Sequence, residues 1–109
     1  MESWNLSEIA VEPRQPEVLG SEDEGRAILI NLPKGEQLQE HQVHERAWVL
    51  VIDGNIEINT PKGDWAAGSS GLMAVFDPAE RHEVTAVEDS RILLVLSPWP
   101  GDGHPSQQG

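Results

Sequence analysis

Residues 35–54 read GEQLQEHQVHERAWVLVIDG, and the reading of this stretch decides the fold. It opens at Gly35, carries His41 and His44 through a polar segment, becomes an apolar run, and closes on Asp53-Gly54-Asn55. The run predicts a strand apolar on both faces, with Ala47, Val49 and Val51 on one and Trp48, Leu50 and Ile52 on the other. Asp53-Gly54-Asn55 is the strongest hairpin signal in the chain, because glycine and asparagine take up positive φ at low cost. Residues 71–82, GLMAVFDPAERH, repeat the arrangement of glycine turn, strand and histidine. The two stretches are expected to face each other inside one small barrel.

The flanking sequence supplies the rest of an all-β chain. Residues 26–32 (RAILINL) read as a strand from their β-branched and apolar content, and Pro33-Lys34-Gly35 ends it. Residues 36–45 are polar and extended. Residues 56–60 alternate Ile56 and Ile58 against Glu57 and Asn59, and Pro61-Lys62-Gly63-Asp64 turns the chain again. Short strands follow at 65–67, 72–76, 82–87 and 91–97. Asp77-Pro78 and Glu88-Asp89-Ser90 separate the last three. About eight short strands divided by turn residues, with no convincing helix, predict a sandwich or barrel. Three regions result: an N-terminal arm over 1–25, suited to packing on a partner subunit; a barrel over 26–97; and a tail over 98–109 rich in Pro, Gly and Gln.

Composition narrows the function. The formal net charge is −12, which repels phosphate backbones and anionic lipid, so neither nucleic acid nor membrane is an expected partner. There is no cysteine, hence no disulfide framework and no thiolate ligand or nucleophile. The apolar runs are too short to span a bilayer, and residues 1–10 lack a basic start followed by an apolar stretch; a cytoplasmic location is expected. No phosphate-binding glycine loop, nucleophile elbow or H-E-x-x-H motif is present.

The order of strands, turns and histidines resembles the cupin family, a jelly-roll β-barrel or double-stranded β-helix. The resemblance covers residues 26–97. In the family's first motif a glycine precedes His-x-His, a glutamate and a closing glycine. Gly35, His41 and Gly54 take the first, second and last of those places, while Val43 replaces the second histidine and Ala47 the glutamate. Gly71 and His82 keep the spacing of the second motif, with Asp77 at its proline place, Ala79 at its glycine and Ala86 at its asparagine.

The resemblance implies a divalent transition metal held by imidazole and carboxylate, with His41 and His82 as two of the donors. Strand alternation places Glu45 on the face of His41, whereas a bulge near Gln42 places His44 there instead. The candidate sets are therefore His41, His44 and His82, or His41, Glu45 and His82, with Gln37 as a further alternate. Imidazole and carboxylate suit Zn, Fe, Mn or Ni alike. The implied function is a small single-domain barrel that binds a small molecule, with or without a metal. The alternative is a metal-dependent isomerase, lyase or dioxygenase. Trp48, Trp65 and Trp99 are expected to fill core or interface. Trp48 has parity opposite to His41, so it faces outward if His41 faces the cavity. The two-sided strands at 46–52 and 91–97 need cover on their outer face, which predicts a homodimer.

Overall fold

The computed structural model describes residues 1–13, 15–41 and 45–97, the side chains of 39–41 excepted. Among them are nine strands: β1 Glu17–Glu22, β2 Gly25–Leu32, β3 Gln37–His41, β4 Arg46–Asp53, β5 Asn55–Asn59, β6 Trp65–Ser69, β7 Met73–Phe76, β8 His82–Ala86 and β9 Ser90–Ser97. They form a five-stranded sheet in the order β1-β2-β9-β4-β7 and a four-stranded sheet in the order β3-β8-β5-β6. Every pairing is antiparallel. From β2 to β5 and again from β6 to β9 successive strands alternate between the sheets, so the two close on each other as a jelly roll.

The core follows from alternation. In β9 every second residue is buried, and Ile92, Leu94 and Leu96 point between the sheets. In β4 the inward set is Ala47, Val49 and Val51, which settles the question that two apolar faces left open. Cross-strand register aligns these residues in rows. One runs Ile28, Leu94, Val49, Ala74, and the next runs Arg26, Leu96, Ala47, Phe76. Ile56 and Ile58 of β5 and Val84 and Ala86 of β8 close the core from the other sheet.

The outer face of the five-stranded sheet is also apolar. Trp48 (37% exposed), Val75 and Met73 (58%) lie beside Leu50, Leu93 and Val95. Trp65 is 64% exposed, so neither it nor Trp48 fills the core. Trp99 lies outside the described residues, as does the whole tail from 98.

The segment read as an arm contains a strand. β1 joins β2 across a turn at Glu22 and Gly25, with a register shift between Val18 and Gly20. Ahead of it the chain lies on its own sheet. The Arg91 guanidinium donates from Nη1 to the Leu6 carbonyl at 2.9 Å, and Asn31 donates from Nδ2 to the Val11 carbonyl at 2.7 Å. Arg91 and Asn31 are tied together as well, Nε donating to Oδ1 at 2.8 Å.

The hairpin at Gly54 is closed by Ser90. Its hydroxyl accepts the Asn55 N–H at 3.0 Å and donates to the Glu88 carbonyl at 2.7 Å. At the same end Gly35 donates to the Ala86 carbonyl at 2.8 Å, and Ala86 to that of Glu36 at 2.9 Å. The turns at Gly35 and Gly54 thus lie together at one end of the barrel, and the His41 backbone and His82 stand at the other.

Candidate functional site

At the open end the apolar interior acquires ionisable groups. Glu45 and His82 are each only 2% exposed. Glu45 lies one inward position beyond Ala47. Ala47 pairs with Phe76, and the Phe76 ring stacks on the His82 imidazole with centroids 3.9 Å apart and planes 9° from parallel. Carboxylate, phenyl ring and imidazole therefore lie at one end of the interior, the first two from the five-stranded sheet's side and the last from the four-stranded sheet. Burying such groups is costly without partners, so their placement there needs a reason.

The His82 ring is oriented. Its Nδ1 lies 3.3 Å from the Glu80 carbonyl oxygen, which only accepts, so the proton of that contact sits on Nδ1. The loop that supplies Glu80 is itself braced. The Asp77 N–H donates to Glu80 Oε1 at 3.0 Å, Arg46 pairs with Asp77 at 2.7 Å, and Ala79 takes a positive φ of 67°.

The sequence-derived set divides as follows. His82 is buried at the open end. The His41 backbone is the direct cross-strand partner of His82. The register shift that produces this pairing lies between Leu38 and His41, upstream of the position near Gln42 that the sequence suggested. Glu45 is buried in the bend that leads into β4. Gln37 is not brought to this end. It pairs with Thr85 on the outer face of β8, and its Nε2 donates to Thr85 Oγ1 at 3.0 Å. His44 and His104 lie outside the described residues. Among the described residues no group of three or more His, Cys, Asp or Glu is placed to hold a metal ion.

One residue escaped the sequence reading. Arg26 begins β2 in the inward row of Leu96, Ala47 and Phe76, half-buried, with its Nε fully buried. A charge at a strand start reads as a solvent-facing end. Only the parity of Ile28, Ile30 and Leu32 signals that Arg26 faces in. A separate cavity of about 760 Å³ lies at the opposite end beneath the arm, lined by Ser7, Asn31, Asp53, Asp89 and Arg91 among others.

No protein-family model matches this chain, and no curated protein matches it. Solved structures do. An RmlC-like cupin protein from Desulfovibrio desulfuricans superposes with a TM-score of 0.79 at 22% identity, over 90% of this chain and 97% of that one. An uncharacterized conserved protein with a double-stranded beta-helix domain from Klebsiella pneumoniae gives 0.76 at 17% identity, over 90% of each chain. KdgF from Halomonas sp. gives 0.71 at 23% identity, over 84% of this chain and 86% of its own. The chain has the cupin fold, a jelly-roll barrel of the double-stranded β-helix type.

Proposed function

We propose that the open end of the barrel binds a small polar molecule, anchored by a divalent transition metal that His41 and His82 hold together with Glu45 or His44. The observation that carries this reading is the pair of buried ionisable side chains, Glu45 and His82, at one end of an otherwise apolar interior. The donor chemistry fits: an imidazole nitrogen and a carboxylate oxygen suit Zn, Fe, Mn or Ni. The orientation of His82 fits too, since a ligating histidine commonly donates its other N–H to a backbone carbonyl, here that of Glu80. Bound there, the metal would supply a Lewis-acidic centre for a ligand oxygen or nitrogen. The chain's own contribution is to fix the imidazole against Phe76, wall the site with apolar side chains, and present the Arg26 guanidinium from β2. Arg26 favours a ligand carrying negative charge.

The test is calorimetric titration of untagged, chelator-treated protein with Zn²⁺, Mn²⁺, Ni²⁺ and Fe²⁺. Saturable binding by at least one ion is expected, abolished by His82→Ala and weakened by Glu45→Gln. If none binds saturably, or if His82→Ala binds as the parent does, the reading fails. Turnover of a substrate by the loaded protein would convert the binding module into the metal-dependent enzyme of the alternative reading.

The partner proposed for the outer face of the five-stranded sheet is a second copy of the chain. Its exposed Trp48, Met73 and Val75 form a continuous apolar surface with Leu50, Leu93 and Val95. An apolar patch of that kind marks an interaction surface.

A further inference from the structure

We infer that residues 1–13 are a detachable strap. They close over one side of the outer face of the five-stranded sheet, held by Arg91, and open while the barrel stays folded. Opening enlarges the apolar face available to a second copy of the chain. The strap stands on its own observations, and only its effect on association rests on the dimer proposed above.

The outer face is covered on one side and bare on the other. Cross-strand register sets Leu29, Leu93, Leu50 and Met73 in one row and Ala27, Val95, Trp48 and Val75 in the next. Along the first row exposure rises from 0% at Leu29, through the half-buried Leu93 and Leu50, to 58% at Met73. Leu29 points away from the interior, since Ile28 and Ile30 on either side of it belong to the core cluster and it does not. Its cover therefore lies outside the sheet. The hydrogen bonds place the arm there. Asn31, two residues along the same face, donates to the Val11 carbonyl, and Arg91, directly across from Asn31, donates to that of Leu6. Leu6, Ile9 and Val11 are the half-buried side chains of the arm, and they supply the apolar cover over Leu29.

This cover is weakly built. No residue from 1 to 13 is buried, and a cavity of about 760 Å³ remains between Ser7 and Pro13 of the arm and Leu32 and Ile52 of the sheet. Among the described residues two side-chain hydrogen bonds tie the arm to the sheet, and both end on backbone carbonyls. Arg91 couples the two ties, because its Nε holds the Asn31 amide oxygen while its Nη1 holds the arm. A segment with few buried apolar contacts opens locally at well below the free energy of global unfolding. The barrel beneath keeps its own core, to which no residue of the arm belongs.

Two sheets pack face to face about 10 Å apart, and the closed strap lies in that layer. With the strap closed a second copy reaches the Trp48 and Val75 side alone. With it open the apolar face is continuous to Leu29. The strap thereby restrains association, and the apparent dissociation constant varies inversely with the open fraction.

The experiment is thiol labelling of the full chain. There is no native cysteine, so one introduced thiol reports its own exposure. Leu29→Cys, beneath the strap, and Val49→Cys, in the core, are each reacted with N-ethylmaleimide in dilute solution across a urea series below the unfolding transition. Leu29→Cys should react about a hundredfold faster than Val49→Cys or more, at a rate that hardly changes with urea, whereas Val49→Cys should follow the steep dependence of global unfolding. Where Leu29→Cys does not fold, the volume-conserving Leu29→Met makes the same reading by peroxide oxidation, with the exposed Met73 as reference. Arg91→Gln and Asn31→Ser each remove a tie and should speed the Leu29→Cys reaction about tenfold. In sedimentation equilibrium the same two variants should tighten self-association by the factor that labelling gives. The strap is overturned if Leu29→Cys and Val49→Cys react at one rate with one urea dependence, or if neither Arg91→Gln nor Asn31→Ser changes the rate. Its effect on association is overturned by unchanged dissociation constants in both variants. A chain that stays monomeric throughout would sink the dimer itself, and the labelling would still decide the strap.

Discussion

Replacing Gly54 with alanine tests the closed end of the barrel and with it the placement of the whole first motif. Gly54 has φ of +98°, and a Cβ built there would lie 2.5 Å from the Asp89 carbonyl oxygen and 2.6 Å from the Ser90 Cα, as well as against the Ser90 hydroxyl. The backbone conformation alone costs an L-residue roughly 1–2 kcal/mol. The clash adds about 1–3 kcal/mol, at the upper part of that range because two of the three atoms met are backbone and cannot rotate away. The sum, about 3–5 kcal/mol, is a large share of the ~5–15 kcal/mol that holds a domain of this kind together. At about 4–8 °C per kcal/mol, Gly54→Ala should lower Tm by roughly 12–40 °C. Gly63 is the internal control. Its φ is +99°, and nothing lies within 4 Å of its built Cβ, so Gly63→Ala should carry only the conformational cost of about 1–2 kcal/mol. Adding Ser90→Ala to Gly54→Ala should recover little, since the Asp89 carbonyl and the Ser90 Cα remain in place. Urea denaturation followed by tryptophan fluorescence, with calorimetry for Tm, measures all three. A Gly54→Ala variant within about 0.5 kcal/mol of Gly63→Ala would refute the clash and the hairpin geometry behind it.

Phe76→Ala removes a buried ring and the stacking surface of His82, and should cost about 3–5 kcal/mol in urea denaturation. It should also weaken metal binding in the calorimetric titration by freeing the imidazole. Asp77→Asn breaks a solvent-exposed ion pair with Arg46 and should change stability by less than about 1 kcal/mol, with a salt dependence smaller than that of the parent. A larger loss would show that this contact holds the loop carrying Glu80 more firmly than an exposed ion pair does. Trp48→Glu places a charge in the apolar outer face. In sedimentation velocity it should convert the proposed dimer to monomer with an unchanged far-ultraviolet spectrum, and a parent that sediments as a monomer would remove the dimer from the account.

The strands of the barrel were legible because their cause is local. Residues 26–32, 46–52 and 91–97 combine β-branched and apolar side chains with turn residues at both ends, and each is a strand within a residue or two. β1 was harder to see. EVLGSE is polar and bulged, and it becomes a full strand through pairing with β2. Which face of β4 points inward was not legible from β4 itself, where both faces are apolar. Position 45 answers the question in retrospect. Glu45 shares parity with Ala47, Val49 and Val51, and all four are buried. Trp48 is the larger apolar group, yet it sits on the exposed face.

The donor set was the least legible part, and the reason is a single extra residue in β3. Strict alternation groups Gln37 with His41, which is why Gln37 entered the set of alternates. In the structure Leu38 opposes Val84 and His41 opposes His82, with two intervening residues on β3 against one on β8. A bulge of this kind reverses parity beyond it. Gln37 therefore stays with Thr85 on the outer face, while the His41 Cα comes to stand opposite that of the inward-facing His82. Nothing in QLQEH announces the bulge, since no glycine or proline marks it and the pairing partner lies some forty residues away. The distance between the two histidine motifs is closed by hydrogen bonds of the ladder, and a period counted along one strand cannot contain a register set by another. Arg26 was missed for a different reason: a charge at a strand start reads as a solvent-facing end, although its parity with Ile28, Ile30 and Leu32 turns it inward. The pairing of the two histidines thus depends on non-local register, whereas the strands that give the barrel its shape follow from near neighbours.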